Sequence, residues 1–96
     1  MDRAAALHLL KTHKAVLAER FGVARLALFG STTRDTAGPD SDVDILVAFD
    51  GPATSQRYFS VQFYLEDLLR RSVDLVTEKA LRGRLRPYVE RDAIAV

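Results

Sequence analysis

Along the chain, apolar residues first recur at helical spacing and then gather into short runs separated by turn formers. Ala6, Leu9, Leu10, Val16, Leu17 and Phe21 would form one stripe of an amphipathic helix from about Arg3 to Arg20, and Gly22 supplies its stop. Arg25 to Phe29 (RLALF) reads as a short strand that breaks at Gly30-Ser31 into the first turn of a helix. The turn formers of Ala37 to Ser41 (AGPDS) lead into a second apolar strand, Val43 to Phe49. After the Gly- and Pro-containing connection Asp50 to Gln56, helical spacing returns over Tyr58 to Arg71. There Val61, Tyr64, Leu65 and Leu68 lie on one side, and Glu66, Asp67, Arg70 and Arg71 largely away from it. Ser72 to Thr77 is a third strand, Pro87 belongs in the first turn of a last short helix, and Ala93 to Val96 offers a terminal strand. This alternation predicts an α/β protein, one layer of sheet covered by helices.

Composition narrows the picture without naming a function. The 96 residues, 48% of them hydrophobic, suit one core, so the expectation is one domain over residues 1–96. The absence of cysteine removes disulfides and thiolate metal sites, which leaves carboxylates and histidines as metal ligands. No run has the length of a membrane span and the N-terminus lacks a signal-type apolar stretch, so a cytoplasmic address and no membrane partner are expected. A net charge of +1 gives no general drive toward nucleic acid, and no direct nucleic-acid binding is expected. His13 falls in the first helix's stripe and reads as a packing residue; His8 has no metal-type partner either. The aromatics Tyr58, Phe59, Phe63 and Tyr64 are read as core, since a base-stacking platform normally comes with a basic groove. The tail holds Lys79, Arg82, Arg84, Arg86 and Arg91, which suit either a solvated face or a contact surface for an acidic partner.

The chemistry concentrates between Leu28 and Val47. Gly30 lets the backbone approach a ligand closely, and the free N–H groups of a helix start attract phosphate, with the Ser31 hydroxyl as an added donor. Asp42 and Asp44 bracket the first residue of the second strand, and side chains two apart on a strand share a face. Paired carboxylates beside a phosphate site suit Mg²⁺, which combines a few carboxylates with the substrate's own phosphate oxygens. Singly, a Gly-Ser turn or an Asp-x-Asp pair is more often a cap or solvated charge. Their joint placement at strand ends, where α/β proteins bind ligands, gives them weight. Asp74, flanked by apolar residues in the third strand, is costly to bury unless its strand end is wet or it meets a cation. As a third carboxylate on a neighbouring strand, it would complete a two-metal site.

Gly30-Ser31, Arg34 and the run Ser41-Asp42-Val43-Asp44-Ile45-Leu46-Val47 resemble the signature of the minimal nucleotidyltransferase (MNT) domains of the polymerase-β-like superfamily. The likeness extends to Val73-Asp74-Leu75-Val76 and to Leu85 through Ile94, and departs at Thr33 and Asp35, where family members often carry Ala and Gly. The resemblance implies an α+β palm, a short mixed sheet covered by helices, and an enzyme that transfers AMP from ATP and releases pyrophosphate. In it, Gly30 and Ser31 would hold phosphates, with Arg34 as a weaker contact. Asp42, Asp44 and Asp74 would share two Mg²⁺ ions, and Asp74 would also help deprotonate the acceptor. It further implies that the chain is an antitoxin whose partner is a HEPN-domain ribonuclease toxin, the acceptor being a tyrosine of that toxin. Two alternatives stay open: an antitoxin that neutralises by contact alone, and a nucleotidyltransferase acting on RNA or a small molecule.

Overall fold

The computed structural model describes residues 1–34, 36, 38, 41–81, 83 and 86–96. Helix α1 (Arg3–Phe21) begins where the Asp2 carboxylate accepts from the Ala5 N–H at 2.7 Å, and it ends at Gly22, whose left-handed φ of 70° turns its N–H back to the Ala18 carbonyl. Ala6, Leu10 and Leu17 are fully buried on its inner face. Val16, expected in the same stripe, is 37% exposed, because one residue along a helix is a rotation of about 100° and carries it off the face that Leu17 centres. His13 lies within the stripe, where its Nδ1 meets the Tyr64 hydroxyl at 2.6 Å.

Strand β1 (Val23–Phe29) starts earlier than the apolar run suggests and leads into a three-residue 3-10 turn, Gly30–Thr32, instead of a longer helix. Strand β2 (Val43–Phe49) follows, then α2 (Ser55–Leu69), β3 (Val73–Thr77), α3 (Arg86–Asp92) and β4 (Ile94–Ala95). Thr54 caps α2, its hydroxyl accepting from the Arg57 N–H at 3.2 Å, and this is why the helix begins ahead of Tyr58. The Arg57 guanidinium folds back onto the Asp50 and Pro52 carbonyls and closes the β2–α2 connection.

The four strands lie in the order β3-β2-β1-β4. β1 is antiparallel to β2 and β4, and β2 is parallel to β3, so the sheet is mixed. Its alternation sends Leu26 and Leu28 of β1, Val43, Ile45 and Val47 of β2, and Val73 and Leu75 of β3 toward α1 and α2. There they close a core with Ala6, Leu10, Leu17, Val61, Leu65 and Leu69. Burying one such aliphatic side chain contributes about 1.5–3 kcal/mol, so this layer holds the fold. Tyr58 and Tyr64 pack against the core as expected. Phe59 and Phe63 do not: they are 49% and 62% exposed and stack on each other on the outer side of α2. Each lies two residues off the row of Val61, Leu65 and Leu69, a rotation of about 200° that turns it to solvent. Among the described residues no helix is long and apolar enough to cross a membrane.

Candidate active site

The site is built where β1 ends and β2 and β3 begin. Phe29, the last residue of β1, is the register partner of Asp44, and Gly30 follows with φ +75°. Only glycine fits there, for more than conformational reasons. A Cβ at this position would stand 2.1 Å from Asp44 Oδ2 and 2.9 Å from its Cγ, inside any permitted contact. The backbone of the turn therefore lies directly on the Asp44 carboxylate. The Gly30 carbonyl accepts from the Thr33 N–H at 3.1 Å, and the Ser31 carbonyl accepts from the Thr36 N–H at 3.0 Å, which fixes the turn. Ser31 is half-buried at its start.

Asp42 is exposed just ahead of β2, and Asp44 is half-buried on the sheet face away from α1 and α2. In the parallel β2–β3 ladder Asp44 is the register partner of Asp74, so the two carboxylates stand side by side on adjacent strands. Asp74 is exposed, and this resolves how an aspartate sits between Val73 and Leu75: its neighbours turn to the core while it turns to water. The electrostatic result falls on Asp44. Burial, then the charge and hydrogen bond of Asp74, then the charge of Asp42 push its carboxyl up to about 6, with Arg34 pulling the other way.

Arg34 contributes charge to this site but directs its guanidinium to the Asp92 carboxylate at the end of α3. That bond ties the tail to the turn, a partner that sequence spacing had no means to reveal. Among the described residues, the hydroxyls of Thr32 and Thr33, 1% and 7% exposed, have no hydrogen-bond partner. The Thr33 carbonyl accepts from Arg3 at 3.2 Å. Lys79, Arg86 and Arg91 are exposed, with Arg86 bridging to Glu90; Arg82 and Arg84 of the same basic group lie outside the described residues, as does Asp35. Further from the carboxylates, the Arg25–Glu78 bridge at 2.8 Å borders cavities of about 130 and 160 Å³, one walled by Val47, Ala48, Phe49 and Thr77, the other by Leu26, Ala27, Leu46 and Ala95.

A close-approach glycine turn lying on paired carboxylates at strand ends is what nucleotidyl transfer requires, and the family model for the nucleotidyltransferase domain matches residues 10–96. The chain belongs to the nucleotidyltransferase domain family. A curated relative, the protein adenylyltransferase MntA of Thermococcus cleftensis, is 41% identical over 88 residues, covering 92% of this chain and 89% of its own. A solved minimal nucleotidyltransferase superimposes with a TM-score of 0.82 at 38% identity, covering 100% of this chain and 97% of that one. The fold also matches a chain of the Shewanella oneidensis complex between a tri-AMPylated HEPN toxin and an MNT antitoxin. There the TM-score is 0.65 at 21% identity, with 93% of this chain and 68% of that one covered. The mixed sheet is thus the polymerase-β-like palm that the motif implies.

Whether the residues suit Mg²⁺ is a question about donors. Among the described residues no group of three or more His, Cys, Asp or Glu side chains is placed to hold a metal ion, so Asp42, Asp44 and Asp74 do not stand as a ready-made three-carboxylate centre. An open row of carboxylates, with the Gly30 turn lying on one of them, fits an ion that takes the rest of its ligands from phosphate and water.

Proposed function

We propose that this nucleotidyltransferase moves AMP from ATP to a tyrosine hydroxyl of a HEPN-type ribonuclease toxin, and so acts as its antitoxin. The observation that carries the reading is the register pairing of Asp44 with Asp74 beneath the Gly30 turn. It is supported by the kinship with MntA and by the AMPylated toxin in the Shewanella complex. Gly30 and Ser31 would receive the triphosphate on backbone N–H groups and a hydroxyl, with the Arg34 charge nearby. Asp42, Asp44 and Asp74 would hold Mg²⁺, which when bound neutralises charge on the phosphates and on the attacking and leaving oxygens. The acceptor oxygen bonds to the α-phosphorus as the bond to the bridging oxygen breaks and pyrophosphate leaves. Asp74, on the outermost strand of the site, takes the acceptor's proton.

Asp42→Asn combined with Asp44→Asn should lower AMP transfer by more than about 10³-fold, while circular dichroism stays that of the wild type. The assay follows the intact mass of a co-expressed HEPN-type toxin. If the double variant still protects cells from that protein as well as the wild type does, neutralisation is by contact and the enzymatic account of its biology is wrong.

A further inference from the structure

β3 is an edge strand, and its outer side is closed by a single row on α2. In the parallel ladder Val43 N–H donates to the Ser72 carbonyl and Glu78 N–H donates to the Val47 carbonyl, so the even-numbered residues of β3 bond to β2. The N–H and C=O groups of Val73, Leu75 and Thr77 therefore face away from the sheet. Glu66 accepts from the Val73 N–H at 3.0 Å, Gln62 donates to the Val73 carbonyl at 3.2 Å, and the Tyr58 hydroxyl donates to the Leu75 carbonyl at 2.5 Å. These side chains are spaced four apart, on one line along the helix. They satisfy the peptide groups immediately before and after Asp74. The Tyr58 phenol also lies close enough to Asp74 that burial and then that carboxylate's charge raise its pKa above the ordinary value.

An edge strand of five residues, paired on one side only, frays unless something holds its free side. Fraying here would swing Asp74 away from Asp44. We infer that Tyr58, Gln62 and Glu66 are positioning residues that clamp the β3 backbone on both sides of Asp74 and so keep its carboxylate in register with Asp44. The inference rests on the role proposed above for Asp74. None of the three side chains need touch nucleotide or acceptor; each acts through the peptide it holds. The same bonds leave the edge with few free groups for another strand to add to.

Tyr58→Phe removes one hydroxyl and keeps the ring, Gln62→Ala removes the second bond, and Glu66→Gln retains an oxygen that can accept from Val73, as a conservative control. Two readouts are needed. In the nucleotide-free and metal-free protein, amide hydrogen exchange at Asp74 and Val76 should speed up by about tenfold or more in Tyr58→Phe and Gln62→Ala, while α1 and β1 amides and the melting temperature change little. In the transfer assay kcat should fall by about 10- to 100-fold with KM for ATP within twofold of the wild type, since only the acceptor-side carboxylate is displaced. Glu66→Gln should stay near the wild type in both. Unchanged exchange at Asp74 in the Tyr58→Phe and Gln62→Ala variants overturns the clamp. So does an unchanged kcat in those variants when Asp74→Asn abolishes transfer. An active Asp74→Asn protein, by contrast, would remove the catalytic role of Asp74, and the exchange data would then decide the clamp alone.

Discussion

On the face of the sheet that α1 and α2 cover, Ile45, Leu28 and Leu75 stand among side chains like themselves, each at most 3% exposed. One residue away along the same strands, on the other face, stand Asp44 and Asp74, with the Gly30 turn lying on the first of them. The covered face satisfies every rule of burial, and its apolar residues are interchangeable in kind. The other face breaks those rules where β2 and β3 begin: like charges side by side and a carboxyl raised toward neutrality, next to a turn whose buried Thr32 and Thr33 hydroxyls have no partner among the described residues. The difference teaches where stability is made and where it is given up. Local departures from favourable packing and electrostatics collect at functional sites because chemistry needs groups that folding alone would not select.

Substitutions that separate stability from activity would sharpen this contrast. On the covered face Leu65→Ala should cost about 2–5 kcal/mol by leaving a cavity in a fully buried layer, while kcat per folded molecule stays close to the wild type. Urea unfolding alongside the transfer assay checks both halves, and a large drop in kcat at full folding would erase the contrast. At the boundary, Gly30→Ala introduces a Cβ at a left-handed φ of +75° and 2.1 Å from Asp44 Oδ2. It should destabilise by about 1–3 kcal/mol and depress transfer far beyond what the loss of folded protein explains. Activity lost only in proportion to folded protein would reduce Gly30 to a turn former.

At the carboxylates themselves a substitution should stabilise. The folded-state pKa of Asp44 is about 6 against an ordinary 3.8, so the native state binds this proton more tightly than the unfolded chain. Its contribution is therefore fully present below about pH 4 and is lost as the pH rises through about 6. Without divalent cations, Asp44→Asn should then raise stability at pH 7 by about 1–2 kcal/mol after allowing for solvent screening, and the gain should vanish near pH 4. Thermal melts across that range in EDTA test it, and a gain that does not change with pH would assign the effect to packing. The smallest expected effect is at Thr33. Replacing it with Val removes a buried hydroxyl that has no partner among the described residues, so stability should rise by up to about 1 kcal/mol. A loss would mean that the hydroxyl is satisfied in solution.

Much of the molecule can be read from local periodicity. The period of 3.6 predicts α1 and α2, the apolar run from Val43 predicts β2, and Pro87 marks the first turn of α3. Gly30 was identifiable as a close-approach position, though not what approaches it. The exposed stack of Phe59 and Phe63 was misread because an aromatic residue's identity says it can be buried, and only the helix's rotation against the sheet says whether it is. The ion pair of Arg34 with Asp92 joins residues 58 apart in sequence, and the grip of Tyr58, Gln62 and Glu66 on β3 depends on how α2 is set against an edge.

The sequence by itself determined the elements and the chemical kinds of residue at their ends, because both follow from side-chain volume, turn preference and a repeat of a few residues. Tertiary structure alone decided that β3 lies parallel beside β2, with Asp74 opposite Asp44. A one-residue slip would keep every strand and turn its side chains to the other face, and what forbids it is the packing of Val73 and Leu75 beneath α2.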